Sequence, residues 1–182
     1  MTAPTIRLAT PTDAAAIAQV RVMAWRSTYR GMIPAAYLDG MKVEDSAALW
    51  ERILKAAPNT TSTFVAQSDD LVVGFASGLM LPEPKLGFDA ELTAVYLDRE
   101  WQRHGVGARL VGNVARAQMA HGATGLLVWV IAGNKPARAF YEHLGAELLV
   151  EQPFTWDGMD LVEAGYGWRD LPSLLRATSA LH

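Results

Sequence analysis

The chain of 182 residues has 16 Lys and Arg against 19 Asp and Glu, a formal net charge of −3, so no chain-wide positive field draws it to nucleic acid. Hydrophobic residues make up 51% and charged residues 19%, which excludes a disordered chain and fits one domain over residues 1–182, with its core at about 5–171. There is no cysteine, hence no disulfide and no thiolate metal site, and neither a run of eighteen apolar residues nor a leader-like start in MTAPTIRLAT; a soluble cytoplasmic protein with no membrane partner is expected.

Residues 5–8 are short and alternating, and Thr10-Pro11-Thr12-Asp13 supplies hydroxyl, proline and acid where a helix would begin. Ile17, Val20 and Ala24 mark the buried side of that helix, which is expected to reach about Tyr29 before Gly31 and Pro34 break it. Trp25 and Tyr29 lie four apart, off that stripe. A short helix at 34–38 and a longer one at 43–57 follow, the second carrying Leu49, Trp50, Ile53 and Leu54 and ending at Pro58-Asn59. Residues 63–67 and 71–80 read as an antiparallel hairpin around Ser68-Asp69-Asp70, closed by Leu81-Pro82-Glu83-Pro84. A loop through Lys85, Leu86, Gly87 and Phe88 leads to a strand at 90–97, rich in apolar and β-branched residues.

From Gly107 onward Leu110, Val111, Val114, Ala115 and Met119 fall at helical spacing. Residues 125–131, GLLVWVI, are a continuous apolar run, as a strand buried on both faces requires. Asn134 can cap a helix whose first turn tolerates Pro136 and whose apolar positions are Ala137, Phe140, Tyr141 and Leu144, until Gly145 stops it. Residues 146–150 read as a strand, Asp157-Gly158 is a two-residue hairpin signal, and Val162, Ala164, Tyr166 and Trp168 alternate with more polar or small positions. The tail from Pro172 is expected to fray.

The link between strand 90–97 and its helix is Gln102-Arg103-His104-Gly105-Val106-Gly107. Two glycines one residue apart let main-chain N–H groups turn inward, and the helix start leaves further N–H groups unpaired. With the helix dipole and Arg103, this makes a cradle for a phosphate or pyrophosphate. A dinucleotide fingerprint would need a third glycine where Leu110 stands, and a phosphate-binding Walker loop would need Lys and a hydroxyl after Gly107. Neither is present.

The segment resembles the Q/R-x-x-G-x-G/A motif of the GNAT superfamily of N-acetyltransferases, through Gln102, Gly105 and Gly107. Asn134, Ala137, Phe140 and Tyr141 likewise resemble that family's N-x-x-A-x-x-F-Y motif. The run from Trp25 to Pro34 is similar to a segment common in bacterial members of unassigned substrate. The order β-α-α-β-β-β-α-β-α-β-β, read from periodicity and breakers, is also the order of this family. The resemblance therefore implies an α+β (α/β) fold in which helices flank a mixed central sheet, its central strand bulged and splayed from the next parallel strand.

The resemblance further implies acetyl-CoA as co-substrate and an amine of a small molecule or peptide as acceptor. Gln102, Arg103, His104, Gly105, Val106, Gly107 and Ala108 would hold the pyrophosphate. The Val95 N–H would face the thioester carbonyl, Leu97 would pair with pantetheine, and Asn134 would touch coenzyme A. Glu91, four residues before Val95, matches a glutamate that takes the amine proton, directly or through water, in several members. A base is useful because a lysine-like amine, with a pKa of about 10.4, is unprotonated only about once in two thousand at neutral pH. Tyr141 matches the tyrosine that protonates the departing thiolate. The plainer readings are an exposed strand-start glutamate for Glu91 and a packing residue for Tyr141.

Acceptor recognition would fall to Trp25, Tyr29, Arg30 and Trp156, whose alternative is packing. The four histidines show no i, i+4 pairing, so no metal site is expected. A homodimer through the final strands is compatible with the sequence. The other class of function is an acyl-CoA-binding sensor that no longer catalyses.

Overall fold

The computed structural model describes residues 2–56 and 59–181. Its elements in chain order are β1 (Thr5–Leu8), α1 (Ala14–Thr28), α2 (Ala35–Gly40), α3 (Val43–Lys55), β2 (Ser62–Ser68), β3 (Leu71–Lys85), β4 (Phe88–Leu97), α4 (Val106–Ala120), β5 (Leu126–Ile131), α5 (Lys135–His143), β6 (Glu147–Trp156), β7 (Met159–Trp168) and α6 (Leu171–Ser179). The strands form a seven-stranded sheet ordered β1-β2-β3-β4-β5-β7-β6. Neighbours are antiparallel except β4 and β5, which run parallel. The expected helix end at Ala57-Pro58 lies outside the described residues.

Each face of the sheet buries one set of helices. On one, Leu110, Val111 and Val114 of α4 and Leu171 and Leu174 of α6 pack on Ala76, Leu92, Leu126 and Val128. On the other, Ile17 and Val20 of α1 and Trp50 of α3 pack on Val65 and Phe75. The long apolar stripes of α1 and α4 are what the sheet needs covered.

Two expectations are corrected. Residues 172–179 do not fray: α6 starts at a side-chain cap, Asp170 accepting from the Ser173 N–H, and Pro172 sits in the first turn, where its missing N–H costs nothing. Thr178 of α6 lies against Gly112 of α4, where a Cβ would come within 2.5 Å of its hydroxyl. Likewise β3 does not close at Leu81. It continues to Lys85 and returns through Leu86 and Gly87, both in left-handed backbone (φ 51° and 84°). That is a two-residue hairpin turn, with Pro82 and Pro84 in the stretch where pairing with β4 lapses, so their missing N–H groups break no ladder.

The site is shaped by one irregularity. Ser77 pairs with Ala94 and Gly78 with Leu92, so Thr93 is an extra residue on β4. A bulge reverses which face each later side chain takes. Leu92 packs on the α4 side, and so do Val95 and Leu97 beyond it, while Ala94 and Tyr96 turn to the α1 side. Parallel pairing with β5 is confined to Ala90–Leu92 against Leu126–Val128. Beyond the bulge the two strands separate.

Below this opening Phe88, 1% exposed, is seated between two glycines. A Cβ on Gly167 would come within 2.2 Å of its ring. Gly167→Ala is therefore expected to destabilise the protein by about 1–3 kcal/mol through overpacking, read as a lower midpoint in urea at unchanged m-value.

Candidate active site

The opening between β4 and β5 runs into a cavity of about 1190 Å³. Backbone N–H groups alternate between the two edges of a strand. The Asp98 N–H donates to the Val73 carbonyl on β3 at 2.8 Å, so those of Val95 and Leu97 point to the opposite edge, into the opening. The Leu97 carbonyl, on the same edge, accepts from Gln102 Nε2 at 3.1 Å. Gln102 thus ties the glycine loop to the end of β4.

In that loop Arg103 (φ 65°) and Gly105 (φ 74°) both take left-handed backbone, Gly105 as the residue before α4. For Arg103 this conformation costs about 1–2 kcal/mol, and it turns successive amides towards one concave side, an anion-binding nest. Gln102, Arg103, His104, Gly105, Val106, Gly107 and Ala108 all line the cavity, with Val95 and Leu97. Among the described residues no backbone carbonyl takes the N–H of Arg103, His104 or Gly105. The nest and the open strand edge fit a pyrophosphate joined to an extended polyamide arm.

Across the opening, Asn134 Oδ1 accepts from the Ala137 N–H at 3.3 Å, the cap that the sequence suggests. Asn134 and Tyr141, 5% and 7% exposed, both line the cavity. The Tyr141 ring lies 5.8 Å from that of Trp168, edge to face, and 6.4 Å from that of Tyr166. Burial, then the neighbouring Tyr96, pushes the Tyr141 phenol well above its ordinary pKa, so it stays protonated. The Tyr166 hydroxyl is engaged, donating to Glu142 at 2.7 Å and accepting from Arg138 Nε at 2.9 Å.

Glu91 stands where β4 and β5 still pair, before the bulge, and does not line the cavity. It is half-buried. Burial raises its pKa, Lys85 opposes the rise and Glu163 adds to it. A carboxylate set back from a cavity in this way suits proton transfer through an intervening water.

The acceptor residues expected from sequence separate. Trp25 and Tyr29 are buried in an aromatic cluster, their rings 4.8 Å apart, with Trp156 5.0 Å from Trp25. Only Tyr29 of this set lines the cavity. Arg30 is exposed and paired with Asp39. Tyr96, Thr28 and Ala24 line the cavity unanticipated. No sequence signal marks Tyr96, because its orientation follows from the bulge at Thr93.

Among the described residues no helix is long and apolar enough to cross a membrane, and no group of three or more His, Cys, Asp or Glu could hold a metal ion.

The model of the acetyltransferase (GNAT) family matches residues 17–146. The chain is 38% identical over 172 residues to the uncharacterized N-acetyltransferase YuaI of Bacillus subtilis, covering 93% of this chain and 95% of that one. In fold it is similar to the PaiA N-acetyltransferase of Thermoplasma acidophilum in complex with coenzyme A (TM-score 0.69, 19% identity, 88% and 96% of the two chains). It is also similar to yncA from Salmonella typhimurium with its cofactor acetyl-CoA (TM-score 0.67, 19% identity, 91% and 93%). A phosphate nest at the head of α4 and a parallel strand pair that parts beyond a bulge thus occur in a chain that belongs to the GNAT family of acetyltransferases, acyltransferases whose co-substrate is acetyl-CoA.

Proposed function

We propose that the protein transfers an acetyl group from acetyl-CoA directly to a primary amine of a small molecule or peptide. The observation that carries this reading is the open edge of β4, with the Val95 and Leu97 amides facing a cavity that also receives the α4 nest and Tyr141.

Acetyl-CoA supplies an activated thioester when bound; the remaining work belongs to the chain. The loop from Gln102 to Ala108 holds pyrophosphate through main-chain N–H groups and Arg103. Leu97 pairs with the pantetheine arm as another strand would, and Asn134 contacts it from α5. The Val95 N–H donates to the carbonyl oxygen as negative charge gathers there, worth about 3 kcal/mol in comparable sites. Glu91, through a water, takes the amine proton. Tyr141, held protonated by its burial until that point, donates its proton to the departing sulfur and is reprotonated from solvent before the next turnover.

The test is a thermal-shift titration with acetyl-CoA beside a coenzyme A release assay over polyamines, amino acids, aminoglycosides and peptides with free amino termini. A raised Tm together with release for at least one amine is expected. Raised Tm without release for any amine would leave a binding protein and overturn the proposal.

A further inference from the structure

Resting on that reading, we infer that Tyr29 and Tyr96 select the acceptor, and that the amine they select has an uncharged body: a primary monoamine whose other polar groups are hydroxyls, amides or carbonyls.

At its acceptor end the cavity is bounded by α1 and β4. There α1 contributes Ala24, Thr28 and Tyr29, and β4 contributes Ala94 and Tyr96. Among the described residues, the lining side chains that can carry charge are Arg103, His104 and His143, from the glycine loop and α5, and no Asp, Glu or Lys lines the cavity. The nearest carboxylates on the central strands, Glu91 and Glu163, act on one another, with Lys85 offsetting, but neither reaches the lining. A second ammonium or a carboxylate on the acceptor would therefore lose its water in front of phenols with no charged side chain in the wall to pair with, Arg21 acting on Tyr96 only from outside the lining, over the Trp25 ring.

The phenols are fixed and free to bond. Tyr29 is held by Trp25 at its edge, which in turn meets Trp156. Tyr96 is tilted against Phe75 at 5.7 Å. Asn134 has spent its oxygen on the Ala137 N–H, so its amide NH₂ is left to face the Tyr29 hydroxyl, which in turn neighbours that of Tyr96. Asn134 to Tyr29, Tyr29 to Tyr96 and Trp25 to Tyr96 are all looser approaches than the closed geometry that engages Tyr166, so a neutral polar group can compete for these donors and acceptors. Burial pushes both phenols above their ordinary pKa, so the wall stays neutral.

Coenzyme A release with 2-phenylethylamine and amino-acid amides, set against spermidine and the corresponding free amino acids, tests this directly. The neutral-bodied amines are expected to exceed the charged ones in kcat/KM by about a hundredfold or more. Tyr29→Phe and Tyr96→Phe should lower kcat/KM by about tenfold for an amide-bearing amine and barely for 2-phenylethylamine. The KM for acetyl-CoA should stay within about twofold in each, and an unchanged Tm would show that both variants fold. Preference for spermidine or a free amino acid would overturn the inference while leaving amine acetylation intact. Equal losses for every amine would also overturn it, reducing both tyrosines to packing. Release with no amine at all would remove the acetyltransferase reading and this inference with it.

Discussion

Glu91→Gln should lower kcat by about 10²–10³-fold with little change in the KM for acetyl-CoA. Glu91 lies outside the cavity lining, so its loss removes no contact to the donor, whereas the amine loses the route by which its proton leaves. The pH dependence follows from the raised pKa, whose leading cause is burial. Only the ionised carboxylate accepts a proton, so activity should climb as pH rises through a value above the ordinary carboxylate range. Stability runs the other way. A carboxylate whose folded pKa is raised contributes most below its unfolded pKa, and that contribution is lost as pH rises through the folded value. The glutamine variant lacks this penalty, so at neutral pH its Tm should be no lower than that of the parent. Steady-state rates and thermal midpoints measured across pH on both proteins decide the matter. Equal turnover would take Glu91 out of the mechanism.

Tyr141→Phe should slow the chemical step by about 10²-fold while leaving the fold in place. The ring packs against Phe140, Tyr166 and Trp168, contacts that phenylalanine keeps. Tyr141 is a buried residue of the cavity lining, contributed by α5. Because the phenol is neutral at working pH, its removal should depress the rate equally across the neutral range, unlike the sloping deficit expected at Glu91. Single-turnover kinetics at saturating acetyl-CoA measure the step itself, and an unaltered rate would assign Tyr141 to packing alone.

Much of this was legible before any coordinates. The apolar stripes of α1 and α4, the continuous run of β5, the Asp157-Gly158 turn and the Asn134 cap all depend on neighbours within a few residues, which is where periodicity and turn chemistry act. The glycine loop was legible for the same reason, since left-handed backbone and inward amides are local properties. Where the structure adds to or departs from these local signals, the deciding neighbour is distant in the chain. Leu171, Leu174 and Thr178 form a helix because α4 offers a surface to bury them, with Gly112 admitting Thr178. Trp25 and Trp156, open on sequence to either acceptor contact or packing, pack on each other and lie off the cavity lining.

The chain's own order of residues carries the motifs by which it resembles the family, and with the family its donor, and it sets the left-handed glycine loop before α4, because these rest on glycines, caps and spacings that act over a single turn. Which side chains line the cavity was decided only by the assembled sheet. One unpaired residue, Thr93, reverses the facing of everything after it on β4, placing Tyr96 beside Tyr29 and leaving Glu91 outside the lining. A bulge is a mismatch between two strands, so neither strand's sequence contains it.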